Sequence, residues 1–318
     1  MRIVSLLPSA TEMVYALGLD PVGVSHECDW PPAATEKPTV NSSRVDPEAD
    51  TAAINQQVLQ AEREHGGVYE IDLDTLADLD PDLIISQGVC DVCAVDHVLV
   101  EDAVTHLDLD AEILTLDSHT LDGIFDDIRS IGTAVERPKR AAELIDELRS
   151  RVEAIETAAA QAEHQPSVAV LDWTDPVMVA GHWVPELIEL AGARYELADV
   201  GDRSTVRDWD EILEYDPEVL IITPCGFELD QTVDTLHDLL ERDGWDDLSA
   251  VQSKRIYLMD GHHYMNRPGP RIVDTLEHLA GLIHPERFDE PSQEIARRLS
   301  SVMDPIDQSG NATVNHQN

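Results

Sequence analysis

The sequence contains few basic residues: 21 lysines and arginines stand against 64 aspartates and glutamates, for a formal net charge of −43. Lysine occurs only at positions 37, 139 and 254. Because phosphates are bound by patches of lysine and arginine, this balance argues against a nucleic-acid partner. In dilute salt the excess charge would repel itself, whereas in molar salt the Debye length falls to about 3 Å. The composition therefore predicts a protein adapted to a highly saline solvent.

Long apolar runs are also missing. No stretch approaches the roughly 18 apolar residues that a membrane-spanning helix needs, so we expect no transmembrane segment. The first residues start directly with a strand pattern, without a signal peptide or a lipobox-type cysteine. We therefore expect a cytoplasmic protein, or an extracytoplasmic one if the true start lies upstream. Cysteine is scarce, with four residues, and an intracellular chain would keep them reduced, so we expect no disulfide framework.

A twelve-residue pattern is present twice. Residues 74–85 align without a gap to residues 210–221, which lie 136 positions further along the chain. Each copy joins a short helical pattern, an Asp-Pro break and an apolar, β-prone run. The duplication predicts two similar α/β lobes, and clefts between domains are preferred ligand sites. A chance likeness between two ordinary helix–strand units is the simpler alternative.

The predicted fold class is α/β, with two similar three-layer lobes joined by a long connecting helix and a ligand cleft between them. Apolar residues recur at helical spacing between Ile124 and Ile155, and Pro138 breaks this run once. In the first helix, Ser9 and Glu12 fit a capping box. The predicted segments are an N-terminal α/β lobe (1–119), a helical connector (120–165), a C-terminal α/β lobe (166–290) and a polar, disordered tail (291–318).

The carboxyl ends of the predicted strands converge on polar and aromatic residues, and ligands of open α/β sheets bind outside such strand ends. Aromatics make up 4% of the chain, yet three of its five tryptophans lie in these loops, where flat rings suit a large, partly apolar ligand. Closing the edge of a core is the alternative role for each ring. The predicted ligand-binding residues are Ser9, His26, Trp30, Gln87, Trp173, His182, Trp183, His262 and Tyr264.

Two further groups could bind a metal. Cys90 and Cys93, with Cys28 and His26, would form a zinc-type site, but the spacing matches no known finger and small buried thiols are the simpler interpretation. His262 and His263 are adjacent in sequence. Adjacent side chains on a strand or loop usually point apart, so we do not expect them to chelate one ion together. GxSxG, P-loop and HExxH motifs are absent, which leaves an enzymatic function poorly supported.

The remaining signal is a set of motifs spread over residues 1–285. They include Ser5-Leu-Leu-Pro-Ser-Ala-Thr-Glu12, Ser25-His-Glu-Cys-Asp29, Gln87-x-x-Cys-x-x-Cys-Ala-Val95, Gly181-His-Trp-Val-Pro-Glu186 and Arg267-Pro-Gly-Pro-Arg271. Together these motifs resemble the substrate-binding proteins of cobalamin and iron-complex ABC importers, whose two lobes are joined by a helical backbone. The His-Glu-Cys-Asp and Cys-x-x-Cys-Ala-Val pieces resemble the cobalamin-binding sub-group.

The resemblance implies non-catalytic binding of a corrinoid, cobalamin, in the cleft, for uptake or for intracellular handling. Cobalamin would be the ligand, and no resident cofactor is implied. The aromatic residues would supply apolar contacts, while His182, His262 or Gln87 would supply polar contacts or reach the cobalt. Asp74 and Asp210 match a pair of acidic positions that dock on the permease of a cobalamin ABC importer.

Two alternatives to a corrinoid-binding protein stay open. A haem or ferric-siderophore binding protein would use the same fold. A metal-dependent intracellular enzyme using Cys28, Cys90 and Cys93 belongs to a different class of function.

Overall fold

Two α/β lobes flank a pair of connecting helices in a computed structural model, which describes residues 1–47, 49–88, 95 and 97–303. Over these ranges, no helix combines the length and the apolar character that crossing a bilayer requires. Each lobe contains a mainly parallel sheet covered by helices, which confirms the predicted fold class.

The N-terminal lobe is built on a four-stranded parallel sheet. The strands of this lobe, inside and outside that sheet, are β1 (Ile3–Ser5), β2 (Gly23–Val24), β3 (Asn41–Ser43), β4 (Tyr69–Ile71), β5 (Leu83–Gln87) and β6 (Glu112–Leu116). Its helices are α1 (Pro8–Ala16), α2 (Thr51–His65), α3 (Leu73–Leu79) and α4 (His97–Leu107). The sheet has the order β2-β1-β5-β6, and β3 and β4 form a separate antiparallel pair. Both central strands are buried along their whole length, as expected for a parallel sheet covered on both faces.

The connector consists of α5 (Leu121–Ala134) and α6 (Pro138–Ala159). Pro138 starts α6, because a missing N–H is tolerated in the first turn of a helix. One apolar core runs without interruption through the connector and into both lobes. Its members include Met13, Ile85, Ile124, Ile128, Leu144, Leu148, Val170, Leu187 and Leu276. The connector helices therefore pack against both lobes and share their apolar core.

The C-terminal lobe contains a six-stranded mixed sheet of order β12-β11-β10-β7-β8-β9. These strands are β7 (Val168–Thr174), β8 (Val177–Val179), β9 (Thr205–Val206), β10 (Val219–Ile222), β11 (Ile256–Met259) and β12 (Ala296–Arg298). The helices are α7 (Val184–Leu190), α8 (Trp209–Tyr215), α9 (Leu229–Asp234), α10 (His237–Leu240), α11 (Ser249–Gln252) and α12 (Ile272–Ile283). Residues 291–303 differ from the disordered tail that we predicted for 291–318, because β12 pairs with β11 as an antiparallel edge strand; residues 304–318 lie outside the described residues.

The repeated sequence pattern forms the same structural unit in both lobes. Asp72 and Asp208 are the N-caps of α3 and α8, respectively. Both helices end at an aspartate in the left-handed conformation, Asp80 with φ 38° and Asp216 with φ 44°, and a proline follows each. A central strand of the parallel sheet comes next in each lobe, β5 in the first and β10 in the second.

The predicted capping box at the start of α1 is wrong. Leu7 is the N-cap and Pro8 occupies the first turn, so Ser9 lies inside the helix. Glu12 does not fold back onto the helix terminus but is buried, and accepts hydrogen bonds from Arg267 and Arg271 of the other lobe. Proline at position 8 accounts for the difference, because it suits the first helical position and moves the start of the helix upstream.

Candidate functional site

A cleft of about 600 Å³ lies between the lobes, within the usual size range of small-molecule sites. Both lobes and the connector contribute side chains to its lining. The lobes also meet across the cleft, where Asp238 accepts hydrogen bonds from Thr51 of the first lobe and Thr174 of the second, each 2.7 Å long. Six of the nine predicted ligand-binding residues line the cleft: Ser9, Gln87, Trp173, His182, Trp183 and His262.

The other three predicted residues, His26, Trp30 and Tyr264, lie outside the lining. Trp30 is 45% exposed, and the guanidinium of Arg271 lies 5.1 Å from its ring centre and 5.7 Å from that of Tyr264. These two rings therefore hold an arginine by cation–π contact, rather than forming the cleft wall that we predicted. His26 makes an ion pair with Glu27 at 3.0 Å.

The aromatic wall of the cleft is formed by Trp173, Trp183, Phe227 and Tyr69. Trp183 is buried and donates its indole N–H to the carbonyl of Met265 at 3.0 Å, so its ring is fixed. Trp173 meets Phe227 edge to face, with ring centres 5.2 Å apart. Phe227 and Tyr69 were missed by the sequence prediction. Phe227 directly follows the strand-end loop 224–226, so extending that loop by one residue would have included it.

His182 presents a neutral imidazole to the cleft. Its Nδ1 lies 3.0 Å from Nδ1 of His119, and the two rings stack with centres 5.1 Å apart. Burial, followed by the nearby charges of His119 and Arg203, lowers the pKa of His182 to about 4. Among the described residues, none forms a hydrogen bond to its Nε2. This nitrogen is therefore a candidate ligand or hydrogen-bonding group for a bound molecule.

Two carboxyl groups also line the cleft, the half-buried Asp127 and the buried Asp172. Burial, followed by the charges of Asp117 and Asp126, raises the pKa of Asp127 to about 7, and its side chain accepts a hydrogen bond from Ser118. Burial raises the pKa of Asp172 to about 6, and its Oδ1 has no hydrogen-bond partner among the described residues. Asp127 is therefore about half protonated at neutral pH, and Asp172 becomes so at about pH 6. Asp127 was missed by the sequence prediction because it lies on the connector helix α5 rather than at a strand end.

An ion-pair cluster joins the lobes beside the cleft. Arg267, which is 3% exposed, donates to both oxygens of Asp29 at 2.5 and 2.9 Å and to Glu12 at 3.2 Å. Arg271 makes two further hydrogen bonds to Glu12, at 2.6 and 3.0 Å. Burial opposes ionisation of Asp29, but hydrogen bonds from His262, His263 and Arg267 hold its pKa well below the usual range.

The described part of the chain contains one of the three cysteines predicted as alternative metal ligands. Cys28 is buried, lies 3.1 Å from the hydroxyl of Thr11 and packs near Val24. Burial raises the pKa of its thiol to about 12, which disfavours the thiolate that metals require. Cys90 and Cys93 lie outside the described residues.

The two predicted docking residues occupy equivalent places. Asp74 and Asp210 both lie in the first turn of their helices, α3 and α8, and both are exposed. Each lobe therefore presents one such carboxylate at the start of a repeated helix.

Comparison with known families identifies the class of protein. The profile of the family described as "Periplasmic binding protein" matches residues 3–262. The chain belongs to this family. Its members are substrate-binding proteins, which are not enzymes. The cleft between the lobes is thus the expected place for a small-molecule ligand.

The chain is similar to curated proteins over most of its length. It is 26% identical to an uncharacterized ABC transporter substrate-binding lipoprotein of Bacillus subtilis, covering 91% of this chain and 82% of the relative. It is 25% identical to the vitamin B12-binding protein of Vibrio cholerae, covering 87% of this chain and 86% of that protein. It is 23% identical to the cobalamin-binding protein of Halobacterium salinarum, covering 89% and 69% of the two chains.

Solved structures of this fold include proteins with different ligands. The periplasmic haem-binding protein of Roseiflexus matches with a TM-score of 0.67 and 23% identity, over 89% of this chain and 98% of that one. The periplasmic vitamin B12-binding protein of Vibrio cholerae matches with a TM-score of 0.63 and 23% identity, over 89% and 96%. At this level of identity, the structural matches establish the fold alone.

Proposed function

We propose that the protein binds a corrinoid, with cobalamin as the expected ligand, in the cleft between its lobes and releases it chemically unchanged. The observation that carries this proposal is the scarcity of unpaired cationic side chains among the described residues that line the cleft. The similarity to the vitamin B12-binding and cobalamin-binding relatives supports it.

The charged lining residues favour an uncharged ligand periphery. They are Glu27, Glu62, Asp127, Asp172, Arg203 and Arg267. Arg267 is neutralised by Asp29 and Glu12, so Arg203 is the one lining cation without an ion pair among the described residues. Haem carries two propionates and ferric siderophores are commonly anionic, and such groups require cationic partners. The amide side chains around a corrin ring have no such requirement.

Hydrogen-bonding groups in the cleft suit those amides. Asn55, Gln87, Gln231 and Asn266 supply side-chain amides, and several serines supply hydroxyls. The raised pKa values leave Asp127 about half protonated at neutral pH and let Asp172 take up a proton as the pH falls towards 6, and a protonated carboxyl donates a hydrogen bond to an amide carbonyl. The rings of Trp173 and Phe227 offer apolar contact to the macrocycle, and Nε2 of His182 is available to the metal or to an amide.

Titration of the purified protein with hydroxocobalamin in molar KCl tests the proposal. We expect one cobalamin per chain by calorimetry, with retained colour after desalting. Trp173→Ala should weaken binding by roughly 10–100-fold, the usual loss when an aromatic anchor is removed. Trp30→Ala is the matched control, because Trp30 lies outside the lining and should leave the affinity unchanged. No heat and no retained colour with cobalamin would contradict the proposal.

Haem binding is the second candidate, and His182 is the observation that favours it, because a neutral imidazole is a good ligand for haem iron. Titrations with haemin and with a ferric siderophore under the same conditions distinguish haem or siderophore binding from corrinoid binding. A one-to-one haem complex whose Soret band changes in His182→Ala, together with no cobalamin binding, would replace the corrinoid assignment.

We also propose that Asp74 and Asp210 dock on the permease of an ABC importer, because each lobe presents one of them at an equivalent position. The double variant Asp74→Lys, Asp210→Lys should abolish capture by the cognate permease in lipid nanodiscs while leaving cobalamin affinity intact. Asp78→Lys, an exposed charge reversal on the same helix as Asp74, is the control. Unchanged capture by the double variant would indicate handling of the ligand away from a permease.

The acidic composition leads us to propose that the protein works in concentrated salt. The net charge of −43 and the similarity to a protein of Halobacterium salinarum support this.

A further inference from the structure

The side chains of His262 and His263 converge on one carboxylate of the other lobe. Nε2 of His262 lies 2.9 Å and Nε2 of His263 lies 3.1 Å from Oδ2 of Asp29. The two histidines belong to a π-helical turn, Gly261–Met265, in which the N–H of Asn266 donates to the carbonyl of Gly261. Successive side chains on a helical turn point about 100° apart or less, rather than opposite as on a strand. The expectation that these histidines point apart is therefore wrong.

We propose that Asp29, His262 and His263 form a binding site for a divalent transition-metal ion, with Zn²⁺ as its natural probe. Their ligand atoms lie within 4.8 Å of one another. Two imidazoles and one carboxylate, with an open position left for water or another ligand, are a common ligand set for such ions. Ligand atoms around tetrahedral zinc stand roughly 3.3 Å apart, given bonds of about 2.0–2.1 Å, so small movements suffice.

The surroundings of His263 are those of a metal ligand. Its Nδ1 lies 2.8 Å from Oδ2 of Asp260, and Oδ1 of Asp260 accepts the backbone N–H of His263 at 2.6 Å. Asp260 is itself buried. Metal-bound histidines usually donate their second ring N–H to a carboxylate in this way, which fixes the tautomer and aims the other nitrogen at the metal. This contact orients Nε2 of His263 towards Asp29.

The net charge of the cluster is negative and would be balanced by a divalent cation. Four carboxylates, from Glu12, Glu27, Asp29 and Asp260, stand beside the guanidinium groups of Arg267 and Arg271. With both histidines neutral, the local sum is two negative charges, which one divalent ion would balance.

Metal binding also requires Arg267 to move. Its Nη2 must release both Nε2 of His262, 3.0 Å away, and Oδ2 of Asp29, 2.9 Å away, while its Nη1 keeps Oδ1 of Asp29 and Glu12. The side chains of the three ligands are 16–32% exposed, so an ion can reach them from solvent.

The site would join the two lobes beside the ligand cleft. Asp29 follows β2 in the first lobe, and the histidines follow β11 in the second. His262 also lines the cleft, so a bound ion would contact its rim. The proposal is independent of the cleft's ligand, because its three ligand residues and their partners are defined without it.

Calorimetric titration of untagged, EDTA-treated protein with ZnCl₂ in molar KCl tests the site. The experiment uses the Cys90→Ser, Cys93→Ser background, so that neither thiol can act as an alternative zinc ligand. We expect one zinc ion per chain, a raised melting temperature, and loss of both effects in His263→Ala. Asp260→Asn, which removes only the positioning carboxylate, should weaken zinc binding by roughly 10–100-fold. His119→Ala, a change in a different histidine pair, should leave zinc binding unchanged.

Cobalt(II) titration provides a readout that does not depend on folding stability. Binding at the proposed site should give the visible absorption of cobalt with nitrogen and oxygen ligands, without the near-ultraviolet charge-transfer band that thiolate ligands produce. The proposal is overturned if the serine background binds no zinc, or if His263→Ala, folded by circular dichroism, still binds one ion with unchanged affinity. Cobalamin titration of His263→Ala is a separate measurement, so failure of the metal site leaves the proposed function standing.

Discussion

At the scale of single residues, the cleft contains a carboxyl group that weakens the fold. Asp172 is 8% exposed, and its Oδ1 has no hydrogen-bond partner among the described residues. A carboxylate in such a place is poorly solvated, so burial raises its pKa to about 6. A group of this kind serves ligand binding better than stability, since a bound molecule can use the hydrogen-bonding capacity that the protein leaves unused.

We expect Asp172→Asn to stabilise the protein at pH 8 by about 1–3 kcal/mol, the range that follows from the raised pKa. An acid whose pKa is raised in the folded state favours folding least once it is ionised. The wild type should therefore lose stability as the pH rises from about 4 to about 6, and this slope should shrink in the variant. Denaturant unfolding at fixed KCl across this pH range measures both.

Asp146→Asn is the control for this experiment, because it removes one negative charge from an exposed position on α6. It should change stability by less than about 0.5 kcal/mol and should keep the wild-type pH slope. An equal gain in both variants would assign the effect to net charge instead of to the buried carboxyl.

The sequence predicts correctly that a residue lines the cleft where a single strand end or loop determines its position. Trp173 lies near the carboxyl end of β7, which pairs in parallel with β10, and side chains at such strand ends meet at one edge of the sheet. His182 instead follows β8, which pairs antiparallel with β7, and reaches the same cleft. Trp30 and Tyr264 follow the same rule but turn away, because Arg271 attracts both rings. The meeting of Asp29 with His262 joins residues 233 positions apart and depends on a π-helical turn, for which no local pattern is known.

At the scale of elements, the two copies of the repeat share their backbone conformation and differ in their contacts. Asp80 and Asp216 end α3 and α8 in the same left-handed conformation. The carboxylate of Asp216 accepts hydrogen bonds from the backbone N–H and the hydroxyl of Ser249, each at 2.7 Å, at the start of α11. The side chain of Asp80 forms no such bond among the described residues. The Asp-Pro pattern predicts the end of the helix, but not this difference, which depends on a partner 33 residues away.

These positions provide a matched pair of substitutions to glycine. Asp80→Gly should stabilise the protein by about 0.5–1 kcal/mol, because glycine adopts the left-handed conformation without strain. Asp216→Gly removes the same strain but also removes the two hydrogen bonds to Ser249, so it should destabilise the protein by about 1 kcal/mol or more. Thermal unfolding of both variants in the same salt measures the contrast, and shifts of the same sign would contradict it.

At the scale of the whole molecule, the excess of negative charge should make folding depend on the salt concentration. The net charge is −43, and acidic residues occupy the solvent-facing side of the connector as well as of both lobes. Salt screens the mutual repulsion of these groups, which is long-ranged at low ionic strength. The ion pairs that join the lobes are largely buried, so salt weakens them less than it weakens surface repulsion.

We expect the melting temperature to rise by on the order of 10 °C between 0.2 M and 3 M KCl, as several kcal/mol of repulsion are screened. A variant with Asp146→Asn, Glu153→Gln and Glu156→Gln removes three exposed charges from one face of α6 and should unfold at a higher temperature than the wild type in low salt. The two curves should approach each other as the salt concentration rises. A melting temperature independent of KCl would contradict the interpretation of the composition.

The apolar core that runs from Met13 through Ile124 and Leu148 to Leu276 has a consequence for cooperativity. The chain duplicates an α/β unit, yet the two copies share one interior and cannot be separated without exposing it. A fragment that ends after residue 119 would lose the connector that covers its inner face, so neither copy is an autonomous folding unit. The protein should therefore melt in a single transition, although the same helix–strand unit occurs in both lobes.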